Sequence, residues 1–136
     1  MVEFLTPAFG DEGIKPLPAL GVSAQALNYL NFLIAEPMHA LAIYRSGVLV
    51  QIPRLERFAV HKLILASRRQ GGPDEAKARK DRAQAEFLIR VLAEDRPGVL
   101  AEAYELALSQ GPNWRKRIAS SLDRMPEAKA LLNGLN

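Results

Sequence analysis

Residues 57–81 read RFAVHKLILASRRQGGPDEAKARKD, and this stretch organises the rest of the sequence. Its first half is apolar on nearly every side at helical spacing, which predicts a helix buried in a core. Lys62 lies on the same face of this helix as Phe58 and Leu65, and the face ends at Arg69. An unpaired ammonium is costly to bury, so a partner for Lys62 is expected.

Asp81 is the candidate partner of Lys62. It follows a tight Gly71-Gly72-Pro73 turn, which we interpret as the C-cap of the first helix. Asp81 also begins an inward stripe of the next helix, which continues through Ala85, Leu88 and Leu92. Two charged residues on two apolar faces are typical either of a functional site or of a structural ion pair, and the residues alone leave both open.

Composition limits the class of protein. The 136 residues suit one domain, here a sheet-edge and hairpin part at 1–53 and a helical subdomain at 54–136. Apolar residues make up 49% and charged residues 24%, as in ordinary globular proteins. The absence of cysteine excludes disulfides and thiolate metal sites, and two histidines make a histidine-rich metal site unexpected. Because no signal peptide or membrane-spanning run is visible, we expect a cytoplasmic protein without membrane contact.

Positive charge is concentrated in the middle of the chain. Residues 45–82 contain ten basic and four acidic residues, whereas the whole chain has a net charge of only +3. A local basic patch suits phosphate-bearing partners, although solvated helix faces are the commoner explanation of such runs.

The predicted fold class is α+β: a short strand, a helix and a β-hairpin, followed by a mainly helical bundle of four to five helices. We expect a strand at Val2–Leu5 and an irregular connection from Thr6 to Pro18, because the connection holds three prolines and two glycines. Ser23 is a plausible N-cap for a helix at 24–35. A hairpin is predicted at 39–44 and 48–52, and helices at 55–69, 74–95, 97–111, after Pro112 and after Pro126.

Other candidate motifs have simple structural explanations. His61 is interpreted as a core histidine, and His39 at the start of a strand has no expected chemistry. Trp114 is followed by three cations (Arg115, Lys116 and Arg117), a combination that could contact nucleic acid. A tryptophan at helical spacing from Ile118 is more often a core anchor. Contact with nucleic acid is therefore left open.

Glu3 is the candidate metal ligand. A carboxylate on a strand is rigidly placed, but magnesium-dependent phosphoryl or nucleotidyl transfer requires two or three such carboxylates on neighbouring strands. Only Glu3 is available, since Asp11 and Glu12 fall in a predicted loop.

Five segments together resemble the C-terminal part of a bacterial nucleotidyltransferase-fold family, one loosely similar to polymerase-β-type and abortive-infection nucleotidyltransferases. They cover nearly the whole chain in order and read VEFLTP (2–7), LPALGV (17–22), FAVHKLI (58–64), KARKDRAQA (77–85) and GPNWR (111–115). The resemblance implies a fold whose N-terminal half has a Gly-Ser signature and a paired-Asp motif. Neither element has a counterpart in this sequence.

The resemblance also implies roles for individual residues. Glu3 matches the third metal acid of the family, where the family has Asp. Lys62 matches a helical lysine and Asp81 the acid of a Lys-Asp motif, the two candidate catalytic residues. Arg68, Arg69 and Lys80 match cations that neutralise the charge of a nucleoside triphosphate.

The leading hypothesis is therefore a C-terminal subdomain of a nucleotidyltransferase-like protein that is not catalytic alone. Mg²⁺ would bind only in a complete active site, so a missing N-terminal half or another chain is an expected partner. Strand edges without partners predict a homo-oligomer. The alternative is a non-catalytic binding module whose basic helical face contacts nucleic acid or a partner chain. A fragment without independent activity is a third possibility.

Overall fold

The computed structural model describes residues 3–135 and confirms an α+β protein rich in helix. The chain forms two compact units, Met1–Pro53 and Arg54–Asn136. The first unit contains the strands β1 to β5 and one short helix, in the order β1 (Leu5–Pro7), β2 (Gly13–Leu17), a 3₁₀ turn (Pro18–Leu20), β3 (Val22–Leu27), α1 (Leu30–Ile34), β4 (Met38–Ala42) and β5 (Val48–Ile52).

The three-stranded sheet of the first unit has the order β1-β3-β2, with β1 parallel and β2 antiparallel to β3. This sheet corrects the expectation that residues Thr6 to Pro18 are irregular. Pro7 and Pro16 lie on the two edge strands, where a residue without an N–H does not interrupt pairing on both sides. Proline therefore occupies the edge strands of this sheet, although in the sequence it was interpreted as evidence against strands.

The helix predicted at 24–35 is wrong over its first half. Residues 22–27 form the central strand β3, in which Ala24 and Ala26 are buried and alternate with the exposed Ser23 and Gln25. Ser23 is therefore a strand residue and caps no helix. Tyr29 has a φ of 70° and separates β3 from the helix, which is only five residues long. Pairing on both sides of β3 overrides the helix propensity of alanine and glutamine.

The first strand begins later than expected. Val2 lies outside the described residues, and Glu3 precedes β1. The carbonyl of Phe4 still accepts a hydrogen bond from the N–H of Gln25 at 2.8 Å, so pairing with β3 begins at residue 4. Glu3 is exposed and does not have the rigid strand position expected for a metal ligand.

The predicted hairpin is confirmed. Strands β4 and β5 pair antiparallel from Met38↔Ile52 to Ala42↔Val48. Gly47 has a φ of 88°, the positive value that favours glycine in this turn.

The second unit is a helical bundle. Its helices are α2 (Leu55–Arg69), α3 (Glu75–Asp95), α4 (Pro97–Ser109), α5 (Pro112–Leu122) and α6 (Pro126–Asn133). Proline at the first position starts α4, α5 and α6, since a missing N–H costs nothing there. None of the helices within residues 3–135 has the length and apolar character needed to cross a membrane.

Helix α2 lies at the centre of this unit and packs against α3, α4 and α5. Val60, Leu63 and Ile64 of α2 are fully buried, as the apolar spacing of the sequence predicts. They belong to a core completed by side chains from every other helix of the unit: Ile89, Leu100, Ile118 and Leu132.

One buried polar contact joins α2 to α5. The Ser121 hydroxyl donates a hydrogen bond of 2.5 Å to the carbonyl oxygen of Leu63, and Ser121 has no exposed surface. A helical carbonyl already accepts the N–H four residues later, so this oxygen keeps a partner if the hydroxyl is removed.

Ser121→Ala is expected to lower the free energy of unfolding by about 1 kcal/mol, the usual net value of one such hydrogen bond. Urea denaturation followed by circular dichroism measures the change. Ser109→Ala is the matched control, because the Ser109 hydroxyl bonds the Leu106 carbonyl on the exposed surface. An equal loss in both variants would contradict the anchoring role of Ser121.

Candidate functional site

The pairing expected between Lys62 and Asp81 is present in the structure. Lys62 Nζ donates to Asp81 Oδ1 at 2.8 Å, and the Asp81 side chain is only 3% exposed. The two residues meet because each lies about 10 Å from the turn that joins α2 and α3, at 1.5 Å per helical residue. Gly71 in this turn has a φ of 75°, but the C-cap of α2 is Gln70 in an extended conformation, and the Gly71 N–H donates to Glu75 and not to a carbonyl of α2. Gly71 and Gly72 therefore belong to the turn after the cap and do not form the predicted C-cap.

Arg69 is a second partner of Asp81. Its Nη1 donates to Asp81 Oδ2 at 2.5 Å, so each carboxylate oxygen takes one cation. The sequence analysis assigned Arg69 to phosphate binding and did not expect this contact. The helical spacing that aligned Arg69 with Lys62 was the signal that could have found it.

Lys62 is held by a second contact. Its ammonium lies 5.1 Å from the centroid of the Phe58 ring, one helical turn earlier, within the range of a cation–π interaction. The side chains of Lys62 and Arg69 remain 16% and 36% exposed. Two cations on one carboxylate leave a net charge of +1, and both cations keep a surface that faces solvent.

The other predicted site residues are more loosely arranged. Arg68 is exposed and close enough to His61 to affect its protonation. Lys80 is exposed on α3 and, within residues 3–135, takes part in no hydrogen bond or ion pair with Lys62, Arg69 or Asp81. Glu3 belongs to the other compact unit, Met1–Pro53.

Glu75 organises a second group of charged contacts at the start of α3, and the sequence did not predict it. Its carboxylate accepts the N–H of Gly71 at 2.7 Å and Nη2 of Arg82 at 2.8 Å, and Nη1 of Arg124 lies 3.8 Å away. The hydrogen bond from Arg82 and then that from Gly71 hold the pKa of Glu75 below its usual range. An acid in the first turn of a helix commonly binds nearby N–H groups, and this position was the available signal.

His61 is buried and neutral at physiological pH. Burial, and next the positive charge of Lys62, lower the pKa of His61 from 6.5 to about 4, while Asp81 opposes this shift. His61 therefore adds no positive charge to the cluster above about pH 5.

The described residues do not by themselves form a metal site. No group of three or more histidine, aspartate or glutamate side chains within residues 3–135 is placed to hold a metal ion. Catalytic Mg²⁺ needs several oxygen ligands in near-octahedral geometry, and Glu3 alone does not supply them. The arrangement of Lys62, Arg69 and Asp81 suits binding of an anion.

The two cations of Asp81 predict a non-additive effect on stability. Lys62→Met or Arg69→Met leaves Asp81 one partner, and each is expected to cost about 1 kcal/mol. The double variant leaves a buried carboxylate unpaired and should cost more than the sum, by about 1–3 kcal/mol. Denaturation of the three variants measures the coupling, and strictly additive losses would show that the two cations do not share one carboxylate.

The lowered pKa of His61 predicts a loss of stability in mild acid. His61 binds a proton near pH 6.5 in the unfolded state and only near pH 4 in the folded state. The free energy of unfolding is therefore unaffected by the titration of His61 above pH 6.5 and decreases as the pH falls from 6.5 to 4. A pKa shift of this size corresponds to a loss of about 3 kcal/mol in the free energy of unfolding. His61→Gln should flatten the profile of unfolding free energy against pH in this range. Parallel profiles for His61→Gln and the unchanged protein would contradict this assignment.

Comparison with known proteins identifies the family. A family model described as a nucleotidyltransferase matches residues 1–109, which include strands β1 to β5 and most of the helical unit. Comparison with curated proteins and with solved structures finds no match. The family match covers well over half of the chain and confirms the resemblance to nucleotidyltransferases. The chain therefore belongs to this nucleotidyltransferase family.

Proposed function

We propose that the helical unit binds the phosphates of a nucleoside triphosphate through Lys62 and Arg69. The observation that carries this proposal is the placement of two partly exposed cations on one buried carboxylate. Asp81 fixes the position of both cations without neutralising both. A fixed cation binds phosphate with less loss of side-chain entropy than a free one, because its conformation is already ordered.

The residues around the pair extend this role. Arg68 and Lys80 are exposed and add positive charge close in sequence to Arg69 and Asp81, which favours an anion over a neutral ligand. Neutral His61 supports the cluster as a packed side chain. In this proposal Asp81 positions the cations, and Lys62 and Arg69 touch the phosphates.

The metal-dependent step of nucleotidyl transfer requires further residues. We propose that the unit acts as the C-terminal, nucleotide-holding part of a transferase, and that another chain or segment supplies the main metal-binding carboxylates. Glu3 would add to such a set, as the family resemblance implies. Mg²⁺ belongs to this proposal only as part of a site completed in that way. The geometry of residues 3–135 supports binding more directly than catalysis.

Calorimetric titration with ATP tests the binding site. Lys62→Met is expected to weaken ATP binding by about tenfold, the loss of one charge-assisted hydrogen bond. Arg90→Met is the matched control, since it removes the same charge from an exposed position of α3 paired with Glu127. Equal weakening by both variants would mean that only net charge matters, and the proposed site would then be wrong.

The same preparations are expected to show no nucleotidyl transfer from any ribonucleoside triphosphate with Mg²⁺ or Mn²⁺. Two-metal chemistry needs a carboxylate set that residues 3–135 do not bring together. Robust transfer that Glu3→Gln abolishes would show that the chain assembles a complete metal site by itself.

A further inference from the structure

A cavity lies between α2 and α5, on another side of α2 from Asp81. Its volume is about 310 Å³, at the lower end of the range for small-molecule sites. Every lining residue is polar or charged: Ser67, Gln70, Asn113, Lys116, Arg117 and Ser120. At 100° per residue, Ser67 and Gln70 are rotated roughly 80–140° around α2 from Lys62, so this cavity is separate from the Asp81 cluster.

The charge of the cavity favours an anion. Lys116 and Arg117 both line it, and the lining contains no carboxylate. Lys116 and Arg117 lie in the second turn of α5, beyond its first-turn N–H groups, so the positive charge at the cavity comes from their side chains. Two cationic side chains beside a small recess whose lining holds no carboxylate suit a phosphate group.

The Gln70 side chain forms part of the wall of the cavity. Its Nε2 donates to the Ser120 hydroxyl at 2.7 Å, which ties the end of α2 to α5. Its Oε1 is buried and has no hydrogen-bond partner within the described part of the chain, and an atom without accessible surface does not contact a ligand in the cavity. The neutral groups offered to a ligand are therefore the amide N–H groups and the hydroxyls of the lining.

The serine hydroxyls extend this preference. The Ser120 hydroxyl accepts the bond from Gln70 and keeps its own hydrogen for an acceptor on the ligand. Ser67 contributes a second hydroxyl to the lining. The polar lining favours a ligand rich in hydroxyl groups over an aromatic base, which would need an apolar or stacking surface.

We propose that this cavity binds a sugar phosphate, a phosphate monoester with neighbouring hydroxyl groups. Lys116 and Arg117 bind the phosphate, and the Gln70 amide with the serine hydroxyls binds the sugar. The same chemistry occurs in a free pentose phosphate and in the 5′-phosphorylated end of a nucleic-acid strand. This site is additional to the triphosphate site at Lys62 and Arg69 and does not depend on it.

Calorimetric titration with ribose 5-phosphate tests the site. Lys116→Gln is expected to weaken binding about tenfold, since it removes one charge-assisted contact. Gln70→Glu places a carboxylate beside the phosphate and is expected to weaken binding at least as much. Lys116 is exposed, so its replacement leaves the core intact, and thermal unfolding followed by circular dichroism checks this.

Arg115→Gln is the matched control. Arg115 lies on the same helix with the same charge but outside the cavity, where its Nη1 donates to the Leu108 carbonyl at 3.0 Å. Binding of ribose 5-phosphate is expected to be unchanged in this variant. Equal weakening by Arg115→Gln, dependence on Lys62 in place of Lys116, equal binding of unphosphorylated ribose, or no detectable binding would each overturn the proposal.

Two further ligands distinguish the sources of the sugar phosphate. A 5′-phosphorylated RNA trinucleotide that binds more tightly than ribose 5-phosphate, with the same dependence on Lys116, would identify a nucleic-acid end as the ligand. Weaker binding of this trinucleotide, with ribose 5-phosphate still dependent on Lys116, would identify a free sugar phosphate. The trinucleotide with a 5′-hydroxyl is expected to bind weakly in either case, and equal binding of both trinucleotides would contradict a phosphate-directed site.

Discussion

The buried carboxylate of Asp81 is the interaction on which the helical unit depends most. It joins α3 to α2 through Lys62 and Arg69, and Lys62 and Asp81 each lie about 10 Å along their helices from the glycine turn that connects the two. A buried charge is stable only with partners, so neither helix can rotate or slide without exposing Asp81 to an apolar environment. The same constraint fixes two cations at the surface. Structural pairing and phosphate binding are therefore compatible roles for one cluster.

Helix α2 makes three different sets of contacts within the helical unit. Its apolar residues fill the core, its Lys62 face meets α3, and its Ser67 and Gln70 face meets α5. Ser121 anchors α5 to α2 within the core by its bond to the carbonyl of Leu63. Because this contact holds α5 at a fixed distance from α2, the cavity above it has a defined shape. A rigid scaffold of this kind is what positions side chains for binding.

The helices of the second unit could be predicted from the sequence, and the three-stranded sheet β1-β3-β2 could not. Proline at the first position of α4, α5 and α6 acts locally, and the apolar helical period marks α2 and α3, so these signals were sufficient for the helices of the second unit. The strand β3 reads VSAQAL, which contains helix-favouring residues and becomes a strand because β1 and β2 pair on both of its sides. Proline usually argues against a strand, and alanine usually favours a helix over a strand. Local propensity therefore gave the wrong structure for these edge and central strands.

The sequence by itself predicted one pair of residues in the candidate site, Lys62 and Asp81. The helical period aligned Lys62 with an apolar face, and burial of a charge required Asp81 to lie opposite. Only the tertiary structure decided that Arg69 turns back to the same carboxylate, and that Gln70 meets Ser120 fifty residues away. The physical reason is that the helical period and the burial of apolar side chains can be inferred from the residues of a single helix. The direction of a long side chain and the approach of distant helices depend on how the whole core packs.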